Sequence, residues 1–581
     1  MKIGKLMAGA AVIALAASAS ARAADANNDT QAETPKLVVA QNTTPSSGGI
    51  SNAELAARVQ ALEDAQSMQA DRASADRTRL STLEQGYNSA VWAFDNGRAT
   101  FASGDGRFTL AIRARFQADY ADYMQQQNQI HRPGFAGPTD LSSGAVMRRA
   151  YFGIEGKAYS DFSYEIRLNA GGSDGGSFGA GGVPNAGEGD PLLNKAVITY
   201  TGVPNMHFSV GVLEPAFMME GTTSSASLTF MERPDFENIA ADTFGAGDSR
   251  RGIEVGWAKT DTFWAGDNLT ITSTFSGGKT GSAQNHGSAS GLGTATGTGI
   301  PAGGTGIVTT AGGGDENDQL LGRITDRVWS DGISNIQLGA SLAHVFNSGN
   351  VNNADGGAQT INLRDRPEIR VDGARLIATG GVNAKTADMW AFDAEGNIEN
   401  FYFGAEYAKF QLDRQCNTIT TGVCAAASGG NAYTVLDHPS FYGWALEGSW
   451  ILTGETKTYS PSAINNEVGG FNAPVPSEPF SLNGDSWGAW ELAARYTDTN
   501  LNWHTGQFAS LTQNAGIAGG EERIVTLGIN WYLNRNVRIM LQDNIIQLSK
   551  GTVAASAAVG ASPDTSSQDI NVIGLRFQYA N

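Results

Sequence analysis

From about Phe101 onward, apolar and polar residues alternate along the chain. Phe108, Leu110, Ile112, Phe116 and Tyr120 share one parity, and Arg113, Arg115, Gln117 and Asp119 take the other. That is the two-residue period of a strand with one apolar and one polar face. The last strand repeats it, with Ile573, Leu575, Phe577 and Tyr579 on one side and Val572, Gly574, Arg576 and Gln578 on the other. Stretches of this kind are centred near 115, 152, 165, 197, 209, 254, 272, 323, 340, 391, 404, 446, 492, 526, 541 and 575. Short turns such as 159–161, 201–205, 330–332, 395–397 and 534–536 separate them in alternation with long loops near 125–145, 171–191, 277–317, 347–386, 414–438 and 550–568. An apolar face opposite a face carrying arginine, repeated over an even number of strands, predicts an antiparallel barrel with lipid outside and a wet lumen inside. The fold expected is all-β, a 16-stranded transmembrane β-barrel over residues 101–581. For any one strand, the edge of a secreted sandwich is the competing reading. The connection near 453–485 departs from the rhythm, being long where a short turn is due.

The N-terminal segment has another texture. Lys2 and Lys5 precede an apolar run from Leu6 to Ala17 and small residues ending Ala21-Arg22-Ala23, which predicts a cleaved export leader over 1–23. Residues 24–50 are small and polar and read as a flexible linker. Over 51–87, Leu55, Val59, Leu62, Leu80 and Leu83 return at helical spacing. Leu55, Leu62 and Leu83 fit a seven-residue repeat whose intervening positions are Gln69 and Asp76, so a short periplasmic coiled coil is expected, with a solitary solvated helix as the alternative. No stretch reaches about 18 consecutive apolar residues beyond the leader, so any crossing of a membrane falls to the strands.

The formal charge is −19, and losing Lys2, Lys5 and Arg22 with the leader takes it to −22. That argues against a nucleic-acid partner. His131, His207, His286, His344, His438 and His504 show neither metal-ligand spacing nor a local nucleophile and base, so no metal, cofactor or catalytic centre is expected. Cys416 and Cys424, eight residues apart in a small-residue loop, are candidates for a loop-closing disulfide.

Several segments resemble the phosphate-selective porin O and P family of Gram-negative outer membranes. They are Arg148-Arg-Ala-Tyr-Phe-Gly-Ile-Glu-Gly156, Ser224-Ser-Ala-Ser-Leu-Thr-Phe-Met-Glu-Arg233, Leu452-Thr-Gly-Glu455, Gly488-Ala-Trp-Glu-Leu-Ala-Ala-Arg-Tyr496 and Leu527-Gly-Ile-Asn-Trp-Tyr-Leu-Asn534. The resemblance spans roughly 105–581 and implies a homotrimer of 16-stranded barrels in the outer membrane, each pore narrowed by an inward loop. Residues 214–248, which contain Arg233, match that constriction loop. The chain departs from the family in lacking a long regular series of arginines. Its densest cluster, Arg364, Arg366, Arg370 and Arg375, is mixed with Asp365, Glu368 and Asp372 and is expected to form a solvated ion-pair network on an outer loop.

Parity places Arg113, Arg115, Lys157, Arg167, Lys195, Arg250, Arg323, Arg495, Arg538 and Arg576 on the lumen face, against Asp119, Glu155, Glu165, Glu254 and Glu491. Barrel physics alone sends an arginine inward, since a lipid-facing one costs ~2–4 kcal/mol. The basic excess goes further and predicts a net positive wall. Such a wall favours passive diffusion of small inorganic anions, and guanidinium forks suit phosphate oxygens. Arg113, Arg115, Arg167 and Lys195, from parity, and Arg149 and Arg233, from the matching segments, are the expected anion pathway, with phosphate or polyphosphate the substrate the resemblance implies. A general, weakly selective porin and an outer-membrane structural or adhesive protein remain the alternatives.

Overall fold

The computed structural model describes residues 51–88, 91–95, 97–125, 130–131, 138–139, 141–172, 193–279, 318–348, 360–414, 419–420, 423–424, 438–461, 469–504, 516–551 and 565–581. The expected leader and linker, and Cys416 with its pairing to Cys424, lie outside them. The chain divides into two units at Thr82/Leu83. Helix α1, Asn52–Asn88, begins where the Ser51 hydroxyl accepts the Glu54 amide at 3.2 Å, a side-chain N-cap. Leu55, Val59, Leu62 and Leu80 are exposed along it, Leu55 and Leu62 being positions of the seven-residue repeat.

The second unit holds the sheet. Its sixteen long strands are β1 Thr109–Gln125, β2 Gly144–Ala158, β3 Phe162–Asn169, β4 Leu193–Tyr200, β5 Met206–Leu213, β6 Arg250–Thr260, β7 Asn268–Lys279, β8 Gln319–Ser330, β9 Asn335–Val345, β10 Val382–Ile398, β11 Phe401–Arg414, β12 Ser440–Ile451, β13 Ala489–Trp503, β14 Ile517–Tyr532, β15 Val537–Gly551 and β16 Thr565–Ala580. Each pairs antiparallel with the next, and β16 returns to β1 with Phe577 opposite Ala118, closing the barrel. Every expected strand centre falls inside one of these strands. A preceding hairpin, Val91–Asp95 with Arg98–Ala102, extends the sheet by pairing with the start of β1.

Closure gives each of the sixteen strands a partner on both sides, so side-chain parity decides what each face meets. Phe116, Tyr120, Phe152, Ile166, Ile253 and Phe577 point outward and are exposed, while Arg115, Gln117, Asp119, Arg167 and Arg576 point inward and are buried. An apolar exterior around a polar interior suits a barrel dissolved in lipid.

Three connections fill the interior. From the long-loop end comes the β5–β6 connection, with a single turn α2, Met219–Thr222, and a helix α3, Asp235–Phe244. Helix α3 stops at Gly245, whose φ of 81° lets its amide reach the Ala241 carbonyl at 3.1 Å and the Ala246 amide reach that of Ala240 at 3.4 Å. The β9–β10 connection folds in from the same end. Phe217, Phe236, Ile239 and Phe244 pack with its Leu363, Ile369 and Leu376 against the wall residues Met389, Phe410, Phe441 and Leu501. The lumen is therefore dry on that side, a correction to the uniformly wet interior expected from parity. Two wall glycines make room for this packing. A Cβ on Gly443 would sit 2.3 Å from the Phe236 Cβ, and one on Gly574 would sit 2.7 Å from the Ile369 Cδ1.

The arginine-rich loop also differs from expectation. Arg366 and Glu368 are buried, Glu368 accepts from the Thr497 and Thr526 hydroxyls at 3.0 and 3.1 Å, and Tyr123 donates to the Ile369 carbonyl at 3.1 Å. The apolar residues interleaved with the charges, Leu363, Ile369, Leu376 and Ile377, pull the loop inward instead of leaving it solvated. The long β12–β13 connection enters from the short-turn end. Tyr459–Ser460 and Gly470–Phe471 pair as a hairpin within it.

Candidate functional site

Strands β1 to β4 bring a basic wall together. Arg113 and Arg115 stand on the inner face of β1, Arg167 on β3 and Lys195 on β4. On β2 the ladder slips, with Gln117 opposite Arg149 and Ala118 opposite Met147, so Arg148 is an extra, bulged residue. The bulge turns Arg148 and Arg149 both inward, and both are buried. Strict alternation sends one of two neighbouring residues to lipid, and sequence parity therefore missed Arg148.

The inward connections supply the opposite side. Arg115 donates to the Ser225 and Ser224 hydroxyls at 2.6 and 2.7 Å. Arg233 is held by its own loop, donating to the carbonyls of Glu220 at 2.7 Å and Thr223 at 2.9 Å. Arg370 and Arg375 reach in from the β9–β10 connection. Between these groups is a cavity of about 120 Å³ whose lining carries nine basic side chains, Arg113, Arg115, Arg148, Arg149, Arg167, Lys195, Arg233, Arg370 and Arg375. Its acidic residues number four, Glu214, Asp242, Asp248 and Asp365. All six positions expected from sequence are among the nine. The sequence places Arg370 and Arg375 on an outer loop, and only the inward fold of that loop brings them here.

Counterions are unevenly distributed. Arg113 meets Glu155 at 2.9 Å and Glu165 at 3.5 Å, and Lys195 meets Glu165 at 3.2 Å. Arg167 pairs with Glu214 and lies 4.9 Å from the centre of the Tyr151 ring. Burial alone would raise the Glu214 carboxyl, but Arg167 and Lys195 outweigh it and hold it below the usual carboxylate range. Among the described residues no carboxylate comes within 4.0 Å of Arg115 or Arg233, and Arg149 reaches Glu232 only at 3.7 Å. Uncompensated cations beside a cavity draw mobile anions into it.

Glu232 pins the arrangement. Arg148 approaches its carboxylate at 2.8 Å, Arg576 at 2.5 Å, and Arg149 and Arg370 at 3.7 Å each. Burial favours the neutral acid, yet these four guanidiniums hold the Glu232 carboxyl well below its ordinary range. Arg576 also forks onto Asp119 at 2.7 and 2.6 Å and donates to the Met231 carbonyl. It clamps the inward loop to the β16–β1 seam and does not line the cavity.

A second cavity of about 460 Å³ opens toward the short-turn end and shares Arg113, Arg115 and Ser224 with the first. Arg98, Arg113, Arg115, Arg535 and Arg538 line it, and among the described residues no acidic side chain does. The two cavities follow the β1 side of the barrel. Across the lumen acidic side chains predominate. Asp393, Glu395, Glu406, Glu447 and Glu491 are buried on the inner face of β10–β13, with Arg495 buried among them. The net positive wall expected from parity is thus confined to one side.

Residues 110–580 match the family described as phosphate-selective porin O and P. Porin O of Pseudomonas aeruginosa is 22% identical over 476 residues, 76% of this chain and 84% of that protein. Among solved structures, the outer membrane channel DcaP of Acinetobacter baumannii aligns over 82% of this chain and 97% of its own, at 10% identity and a TM-score of 0.40. An anion-selective porin from Comamonas acidovorans aligns over 82% and 100%, at 12% identity and a TM-score of 0.39.

Proposed function

This chain belongs to the phosphate-selective porin O and P family and is a porin of the Gram-negative outer membrane, and on that premise we propose that its pore passes small anions by passive diffusion along the basic side of the lumen. The observation that carries the reading is the nine-to-four excess of basic over acidic side chains among the described residues around the 120 Å³ cavity, continued by Arg98, Arg535 and Arg538 in the cavity beyond it. Arg113, Arg115, Arg149, Arg167, Lys195 and Arg233 form the proposed pathway, with Arg148, Arg370 and Arg375 added. The inward segment 214–248 is its constriction. Guanidinium pairs and the Ser224 and Ser225 hydroxyls supply donors suited to a tetrahedral oxyanion, which favours phosphate and polyphosphate as the substrate class.

The working unit we propose is a homotrimer, with α1 of three copies joined through the Leu55, Leu62 and Leu83 seam. A planar bilayer with a salt gradient tests the pore. Anion preference in the zero-current potential is the expected result, and cation preference refutes it. Phosphate competition against chloride current then separates a specific site, blocked at micromolar phosphate, from a general anion-leaning pore with weak, uniform effects.

A further inference from the structure

One lysine of the barrel wall points away from the lumen. On β11, Ala408 and Phe410 are fully buried on the inner face, so Lys409 between them points outward, on the side of Tyr407 and Gln411. Its register partners are Trp390 on β10 and Tyr442 on β12. The Tyr407 ring lies 5.5 Å from that of Trp390 and stacks on that of Tyr442 at 6.5 Å. A lower aromatic pair, Phe401 with Trp450, stacks at 5.6 Å at the short-turn end of the same strands. Lys409 follows Phe401 by eight residues on β11. At a strand tilt of about 40° that is a climb of roughly 20 Å, within an apolar band about 25 Å tall. Lys409 therefore stands at the upper aromatic girdle, the level at which the headgroups of the outer leaflet begin.

The carboxylates above it on the outer face already have partners. Asp388 takes His344 at 2.7 Å, and Asp413 takes His438 at 2.6 Å and the Thr386 hydroxyl at 2.7 Å. Arg523, which also faces outward, on β14, pairs with Glu521 at 2.6 Å and Asp498 at 3.5 Å. Lys409 has no such partner: among the described residues no carboxylate comes within 4.0 Å of its ammonium. Gln411 and Ser440 pair across β11 and β12 one rung above Lys409 and Tyr442. Their side chains likewise make no hydrogen bond among the described residues. An ammonium, an amide and a hydroxyl thus stand together unpartnered on the outer wall, above a bed of aromatic rings. We propose that this patch binds the phosphate of a phosphorylated lipid of the outer leaflet, whose acyl chains lie along Trp390, Tyr407 and Tyr442. A lipid-facing lysine is tolerated where its stem covers apolar surface and its ammonium snorkels to a headgroup. There an anionic phosphate supplies the counterion that the wall withholds. The proposal rests on the placement in the outer membrane and not on what the pore passes.

The test uses the full-length protein in a neutral detergent, titrated with diphosphoryl lipid A and read by native mass spectrometry. Lys409→Gln is expected to weaken the tightest lipid A site about fivefold, the loss of one basic contact to an anionic headgroup. Lys409→Arg keeps the charge and should stay near the parent, and Gln411→Ala with Ser440→Ala should weaken the site as well. A galactolipid, which has no phosphate, should bind the parent and Lys409→Gln alike. Equal lipid A affinity in the parent and Lys409→Gln overturns the proposal. So does an equal loss of galactolipid binding, which would make Lys409 an apolar contact only. Displacement of lipid A by millimolar inorganic phosphate would assign the patch to the free ion and overturn the lipid as its occupant. Because Lys409 faces away from the lumen, the variants should keep the parent's heat-modifiable mobility and single-channel conductance. A changed conductance would place Lys409 in the pore and overturn the proposal too.

Discussion

Arg115→Gln is the sharpest test of the pathway. Arg115 lines both cavities, and its only described polar partners are the hydroxyls of Ser224 and Ser225. Its positive charge is therefore available to a passing anion rather than spent on a carboxylate. A unit charge about 5 Å from an anion contributes ~1 kcal/mol in water and ~3 kcal/mol at an effective dielectric near 20. Removing it should raise the phosphate concentration that half-saturates the current by about 5- to 150-fold. Glutamine keeps a donor for the serines, and Arg115→Lys keeps the charge, so the lysine variant should stay near the parent. The assay is single-channel current against phosphate concentration, with the zero-current potential measured in a salt gradient. If Arg115→Gln saturates at the parent's concentration with the parent's zero-current potential, the uncompensated-charge argument is wrong.

Glu232→Gln should loosen the inward loop, because four guanidiniums lose their common counterion; breaking such a buried set costs about 3–5 kcal/mol. The expected result is faster proteolysis within 214–248 with the barrel still heat-modifiable on a gel, and unchanged proteolysis contradicts it. For pH, Glu214 is held below the ordinary carboxylate range, so its pairing with Arg167 and Lys195 persists above the unfolded pKa and is lost only as pH falls through the depressed folded value. Anion selectivity should stay flat from neutral pH into mild acid and rise only below the usual glutamate range, with Glu214→Gln giving the acid value at neutral pH; a rise centred at or above an ordinary glutamate pKa counts against it. Phe152→Arg, on the outer face of β2 where Phe152 is 57% exposed, should destabilise the folded barrel in liposomes by ~2–4 kcal/mol if it lies at the bilayer midplane. Urea unfolding reads the difference, and none would mean that this face does not meet lipid.

The strands and the direction of their side chains were legible in the sequence because both are local. Alternation over about eight residues suffices to show that Phe116 faces out and Arg115 in, and all sixteen strand centres follow from that pattern. The basic positions Arg113, Arg115, Arg167 and Lys195 followed from the same parity, and the matching segments supplied Arg149 and Arg233. What the sequence left open depends on pairing between residues far apart. The bulge that turns Arg148 inward exists only in register with β1, at Gln117 and Ala118. Arg370 and Arg375 join the cavity because Leu363, Ile369 and Leu376 find apolar partners more than a hundred residues away, inside the barrel. The segregation of Asp393, Glu395, Glu406, Glu447 and Glu491 from the basic wall likewise arises when the sheet closes. Parity says only which face a charge takes. Which counterion it meets, and whether water reaches it, is set by burial and distance, and those belong to the closed barrel and the chain folded within it.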